Sequence, residues 1–536
     1  IYVLIFFKIM WLIFNYINTR YFDEFQTHLP LVSLLYLKPN EFKYLKSTFL
    51  HELVSTNTLS YLYIPCFLIL IFIIKNHHLF NSFNNKINVS VLLIIGILSG
   101  SFSNSNVTSF IDPLQNNSLF YFILRSNINL NNQKLSLNEK EIKQWKEYKN
   151  NIIERKFKNT HYPFYGKINK TLKYTNISLD SGLLKWFENK IRPNIVLLIS
   201  ESFNSDRIGK YNSRSYLSPH FDEFTKSGIL FKNFYANSYQ TMRGQFAILC
   251  GMYPNPGPAV LKNYYNVKLE CISEKLKRLG YETLWIHSGD GNFDNQEYFF
   301  RKNGFNKIVT DKNFDEDLEK FSWGYSDEEL MKKSIETLKN IKDPFFAVIL
   351  TTSNHHPYEI PEINNLKINQ KDSIKDIAFK YSDYSLGYFF NEVKKEKFYK
   401  DTFFILTSDT GSGPLKSGNN IEDQLKLPFS RIPLWLFWEK SKKLYIDERI
   451  SSQVDIIPSI VDLLKINDFS HFLGQSLFRE FTKQIYVKSD VNSVEIYEGD
   501  ITYINGKYGQ EFIKSKKDML LKKILNYTYY KNNIIY

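Results

Sequence analysis

Four apolar runs in this chain end on residues that can do chemistry. NIVLLIS at 194–200 leads into Glu201, and ETLWI at 282–286 leads into His287. FFAVIL at 345–350 leads through two threonines and a serine into Asn354, His355 and His356, and TFFILT at 402–407 leads through Ser408 into Asp409. A lone glutamate after a strand is ordinarily a helix cap or a surface acid, and a lone histidine is ordinarily a satisfied structural group. The coincidence is what counts, because ligands in open α/β sheets sit beyond the carboxyl ends of the strands. Carboxylates and imidazoles gathered there describe a hydrophilic site with the capacity to bind a metal.

A fifth element carries a hydroxyl. Residues 238–250 read SYQTMRGQFAILC and are helix-like from Met242 onward, with Thr241 at the start. Thr241 is either an N-cap or a nucleophile. A helix N-terminus offers N–H donors and the positive end of a dipole, which suits a phosphoryl group. Metal coordination would activate the hydroxyl.

The elements that must position these groups alternate. Strand-like runs are separated by helical patterns such as CISEKLKRLG and SDEELMKKSIETLKNI. This predicts an α/β fold with a mostly parallel central sheet sandwiched by helices, over residues 192–480. Residues 481–536 read as a small β-rich tail with a hairpin turn at Asn505-Gly506. Residues 106–191 read as an extracytoplasmic connector with a charged helical stretch at 137–157.

The first 105 residues are of another kind. Apolar runs at 1–17, 59–74 and 89–102 each fall short of the roughly 20 residues that span a bilayer. Buried helices of a soluble core are the other reading. Three runs so close together favour a membrane region with about three transmembrane helices. The chain opens at Ile1 inside an apolar run, so upstream segments are expected to be missing. The loop 75–88 has Lys75 and Lys86 and no acid, whereas 18–58 contains Asp23, Glu24, Glu41 and Glu52. The positive-inside bias then puts 75–88 in the cytoplasm and everything after about residue 105 outside.

The net charge of +13 comes from lysines scattered among acids. That is a solvated surface with some attraction to anionic lipid, not the basic stripe of a nucleic-acid binder. Cys66 lies in an apolar run. The absence of a Cys-x-x-Cys pair disfavours a structural zinc site. Cys250 and Cys271 fall outside the membrane in this topology, where they form either a disulfide or two buried thiols.

The segments PNIVLLISESF, SPHFDEFTKSGILFKNFYANSYQTMRG, TTSNHHPY, FILTSDTGSG and SQVDIIPSIVDLL are similar, in order, to motifs of the lipoteichoic acid synthase-like branch of the alkaline phosphatase/sulfatase superfamily. Phosphoglycerol and phosphoethanolamine transferases are its relatives. The resemblance implies a threonine nucleophile, Thr241. It also implies one divalent metal, typically manganese with magnesium or zinc as alternatives, held by Glu201, Thr241 and Asp409. A membrane phospholipid would be the donor and a glycan or lipid-linked glycan the acceptor, with the catalytic domain outside a bacterial cytoplasmic membrane. His287, His355, His356 and Arg243 are carried over to the substrate side.

The chain departs from the pattern in two places. Thr410 stands where the resemblance expects a metal-binding histidine, so water or one of His287, His355 and His356 is expected to fill that position. Asp294 and Gln296 stand where the lipoteichoic acid synthases carry an aromatic residue and an arginine beside the headgroup. The Cys/Ser-x-Pro-x-Arg motif of true sulfatases is missing, which disfavours sulfate ester hydrolysis. Two further functions stay open: a phosphodiesterase or phosphatase on the same site, and an inactive chain with a binding role. The acceptor and the oligomeric state are not legible.

Overall fold

The apolar runs that end on the candidate residues are central strands of one eight-stranded sheet. The computed structural model describes residues 166–411 and 430–481, apart from positions 191, 214, 255–258, 264, 343, 364–365 and 469, together with three short outlying strands. All of them belong to one compact unit, Leu135–Tyr536. The three N-terminal apolar runs and Asn505-Gly506 lie outside the described residues. Among the described residues no helix is long and apolar enough to cross a membrane.

The sheet strands, in chain order, are β1 (Asn194–Ser200), β2 (Gly228–Phe231), β3 (Glu282–His287), β4 (Lys307–Val309), β5 (Phe345–Leu350), β6 (Thr402–Ser408), β7 (Leu434–Trp438) and β8 (Leu444–Asp447). Their spatial order is β8-β2-β7-β6-β1-β5-β3-β4. The run β6-β1-β5-β3-β4 is parallel throughout. Strand β7 runs antiparallel to both β6 and β2, so the sheet is mostly parallel but mixed. Every residue of β1, β5 and β6 is buried. That is why these strands read as unbroken apolar runs, since both faces of a parallel sheet are covered.

Register aligns the strand ends. Ser408 lies opposite Ser200, Ile199 opposite Leu350, and Leu350 opposite His287. Glu201, Asp409 and the residues after Leu350 and His287 therefore leave the sheet at one level.

The helices that matter here are α1 (Thr241–Cys250), α2 (Asp327–Lys339), α3 (Ile374–Val393) and α4 (Ile456–Leu463). Alternate residues of each strand face opposite layers. Ile195, Leu197 and Ile199 join a core with Phe246, Ile457 and Ile460 from α1 and α4. Val196 and Leu198 join a core with Leu330, Ile335, Phe389 and Phe390 from α2 and α3. Ser326 caps α2, its hydroxyl accepting from the Glu329 N–H at 3.4 Å. Ser373 and Asp376 form a capping box at α3. A disulfide joins Cys250, the last residue of α1, to Cys271.

Residues 166–190, read from sequence as the end of a connector, pack against this body. Leu183, Trp186 and Phe187 enter the first core, with the Phe187 ring 5.1 Å from that of Phe403. Arg155–Phe157 is a strand antiparallel to Gly166–Ile168. The helical reading of 137–157 therefore does not hold at Arg155–Phe157, where the Gly166–Ile168 strand supplies main-chain partners that helical propensity does not outweigh; the rest of that stretch lies outside the described residues. Strands Ile485–Ser489 and Val494–Glu498 form an antiparallel pair. Tyr486 fixes that pair to the body, its hydroxyl donating to the Ala236 carbonyl at 2.6 Å.

Candidate active site

Two buried carboxylates and three hydroxyls meet beyond the ends of β1 and β6. Thr241 opens α1, and the N-cap is its neighbour Gln240, whose side chain makes no cap bond. The Thr241 hydroxyl instead donates to Glu201 Oε2 at 3.3 Å. Among the described residues, no hydrogen bond runs from the N–H of Thr241 or Met242, so these donors stay available at the positive end of the helix. Gly244 brings α1 against β6: a Cβ there would collide with the carbonyl oxygen of Asp409.

Glu201 is 4% exposed and Asp409 fully buried. Burial, and next the charge of Asp409, hold the Glu201 carboxyl well above the usual carboxylate range. Asp409 Oδ1 accepts from the Ser202 N–H at 2.8 Å. Its other oxygen, Oδ2, is buried and has no hydrogen-bond partner among the described residues. Two acids facing each other, one with an orphaned oxygen, form an arrangement that a cation would satisfy. A threonine hydroxyl at the same point completes a donor set that fits a divalent metal.

Ser202, which sequence reading did not single out, links the group. It sits at φ 49°, in the left-handed region that non-glycine residues seldom adopt. There its hydroxyl donates to Glu201 Oε1 at 2.8 Å and lies 3.3 Å from the Thr410 hydroxyl. Asn354 Nδ2 donates to the carbonyls of Glu201 and Ser202 at 3.1 and 3.0 Å. Gln453 Nε2 donates to the carbonyls of Ser408 and Asp409 at 2.9 and 2.6 Å, while its Oε1 accepts from the Asn237 N–H, four residues before Thr241. Gln453 lies inside the SQVDIIPSIVDLL motif, which was its only signal in the sequence.

The imidazoles lie on the same edge but are engaged differently. His287 Nδ1 pairs with the Leu350 carbonyl at 3.1 Å, and burial lowers its pKa to about 4. His355 Nδ1 pairs with the His356 carbonyl at 2.8 Å, and its ring lies 4.2 Å from that of Trp323. The His356 ring lies 5.6 Å from Tyr358. Among the described residues no three of His, Cys, Asp and Glu converge on a point that could hold a metal. Water or an imidazole is expected to fill the place of the missing ligand, and none of the described imidazoles joins Glu201 and Asp409 in such a group.

The remaining candidates are largely buried. Arg243, 2% exposed, donates from Nε to Gln240 Oε1 at 2.7 Å. Asp294 pairs with Lys262 at 2.9 Å. Gln296 Oε1 accepts from Gln245 Nε2 at 2.7 Å, and Gln245 lies on α1 one turn beyond Thr241.

A family model for sulfatases matches residues 193–466, just over half of the chain. The chain belongs to the sulfatase family. Within it, this sulfatase-family member is lipoteichoic acid synthase-like. It is 23% identical over 367 residues to lipoteichoic acid synthase 2 of Bacillus subtilis, covering 62% of this chain and 55% of that one. It is 24% identical over 370 residues to the lipoteichoic acid synthase of Staphylococcus saprophyticus, covering 63% and 55%. The chain thus spans about half the length of these curated relatives. A protein of the alkaline phosphatase superfamily from Vibrio parahaemolyticus superposes with a TM-score of 0.56 at 28% identity, covering 68% of this chain and 84% of that one. The lipoteichoic acid synthase LtaP of Listeria monocytogenes superposes with a TM-score of 0.54 at 18% identity, covering 68% and 96%, and shares the fold.

Proposed function

We propose that this sulfatase-family chain is a membrane-anchored, divalent-metal-dependent phosphotransferase. It would move a phosphoglycerol or phosphoethanolamine headgroup from a phospholipid to a hydroxyl of a glycan or lipid-linked glycan, outside a bacterial cytoplasmic membrane. The observation that carries this reading is Thr241 at the open start of α1, hydrogen-bonded to a buried glutamate that faces an aspartate with an orphaned oxygen. The relatives named as lipoteichoic acid synthases support the same class. The membrane anchor rests on the apolar runs within residues 1–105. The outward placement rests also on the Cys250–Cys271 disulfide, which persists where the compartment is oxidising.

Glu201, Asp409 and Thr241 would hold the metal. When bound, it would lower the pKa of the threonine hydroxyl and offset phosphate charge. The Thr241 hydroxyl gives up its proton along its hydrogen bond to Glu201, and its oxygen attacks the phosphorus. The bond from phosphorus to the diacylglycerol oxygen breaks, and that oxygen takes up the proton relayed through Glu201, which returns to its carboxylate form. The N–H groups of Thr241 and Met242 receive phosphoryl oxygens at the helix start. An acceptor hydroxyl then attacks the phosphothreonine ester, its proton passing by way of Glu201 to the departing Thr241 oxygen as the bond from phosphorus to Thr241 breaks, so one difficult displacement becomes two easier ones. Asn354 and Gln453 keep the segments bearing Glu201, Asp409 and Thr241 in register.

The test is to incubate the purified chain with phosphatidylglycerol or phosphatidylethanolamine and Mn²⁺, then digest it. A headgroup phosphoester on the Thr241 peptide, discharged by a glycan acceptor, is expected. Release of free headgroup phosphate without any glycan product assigns a hydrolase instead. Absence of the ester under both donors overturns the reading.

A further inference from the structure

Which cation the site takes depends on the departure at Thr410, and the following rests on the phosphotransferase reading above. The side-chain groups linked to Glu201, beside Asp409 with its orphaned Oδ2, all offer oxygen: the hydroxyls of Thr241 and Ser202, and through Ser202 that of Thr410. Among the described residues no imidazole joins Glu201 and Asp409 in a group that could hold a metal.

Ser202 supplies an independent observation. Its positive φ is a strained choice for a serine. That conformation sets its N–H on Asp409 and its hydroxyl between Glu201 and Thr410. A strained residue bridging both acids and the position of the missing ligand is built for the site rather than for packing.

We propose that this chain has an all-oxygen cation site, formed by Glu201, Asp409, Thr241 and the Ser202–Thr410 hydroxyl pair, and that the pair takes the place of a histidine ligand. Carboxylate and hydroxyl oxygens suit hard ions such as Mg²⁺ and Mn²⁺, whereas imidazole strengthens zinc binding. The site therefore favours magnesium or manganese chemistry and denies zinc its nitrogen ligand. The two carboxylates supply the charge that neutral hydroxyls do not.

The whole chain is titrated with Mn²⁺ and followed by the electron paramagnetic resonance of free aqueous Mn²⁺. Electron spin-echo modulation of the bound ion then reports any directly coordinated ¹⁴N. The native chain is expected to take up Mn²⁺ with no imidazole nitrogen signal. Thr410→His should introduce that signal and raise the preference for zinc over Mn²⁺ by about tenfold or more. Ser202→Gly suits the positive φ and removes only the hydroxyl, and it should weaken Mn²⁺ uptake. An imidazole signal in the native chain overturns the proposal, as does failure of the native chain to take up Mn²⁺, or a zinc preference unchanged by Thr410→His. The Thr241 phosphoester separates the two readings. If it never forms while Mn²⁺ is held by oxygen alone, the transferase reading fails and this one stands. If it forms while an imidazole signal appears, the reverse holds.

Discussion

The carboxylate side and the imidazole side of the sheet edge are built on different terms. Around Glu201 and Asp409 the polar groups are gathered but not satisfied: one carboxylate oxygen has no partner among the described residues and one acid is held well above its usual range. Around His287 and His355, main-chain carbonyls have already settled which way the rings face, and aromatic rings pack beside them. The first side is poised to receive a charged group. The second is a preformed wall. Unsatisfied buried charge is costly unless something completes it, which is why the proposed function puts the reacting centre on the β1–β6 side.

The sharpest way to break this comparison is at Thr241. Thr241→Ala should lower headgroup transfer by at least about 10³-fold and leave the denaturant midpoint unchanged, whereas Thr241→Ser should retain measurable turnover. A Thr241→Ala chain with native turnover would move the reacting centre elsewhere.

On the imidazole side the expectation concerns stability against pH. His287 titrates near 4 in the folded chain, below the roughly 6.5 of an unfolded histidine. Between those values the unfolded state binds the extra proton, so folding stability is full above about 6.5 and falls as pH drops toward 4. The loss reaches on the order of 3 kcal/mol. His287→Gln should flatten that limb in urea titrations across this window. An imidazole that protonates near 6.5 by NMR would show that the wall is not preformed.

The disulfide bears on the helix that presents Thr241. Replacing Cys250 and Cys271 together by alanine should cost about 3 kcal/mol of stability, given the 21-residue separation. Chemical denaturation under non-reducing conditions measures it, and an unchanged midpoint would mean that the bridge constrains nothing.

The smallest effect is expected from Gln453, which touches only carbonyls at the reacting side. Gln453→Ala should weaken Mn²⁺ affinity or transfer by about 10–100-fold, as for other groups that orient ligands from behind. The same loss appearing only in thermal stability would make Gln453 a purely structural clamp.

The parts of the molecule legible in the sequence share one physical property: their signal is local. NIVLLIS and FFAVIL announced buried parallel strands because every position in them is covered on both faces. Glu201 and Asp409 followed from the strand ends. Ser202 and Gln453 did not, because nothing beside them in the chain shows what they touch. Their partners arrive from segments such as Asp409 and Asn237, far away along the chain. The extent of the body was missed for a similar reason. Leu183, Trp186 and Phe187 sit in a short polar-flanked stretch that only the fold shows to be core. Arg155–Phe157 looked helical until its strand partner was known.

The bare α-carbon of Gly244 has a consequence for how such a site can change over time. Because α1 touches the Asp409 main chain where a side chain would stand, the spacing between nucleophile and acid is set by backbone against backbone. A change of side chain after Asp409 should then leave that spacing as it is. A single methyl group at position 244 would wedge the two segments apart however good the remaining ligands were. Divergence among chains of this architecture should therefore be tolerated in the ligand shell and forbidden at the hinge of contact beneath it.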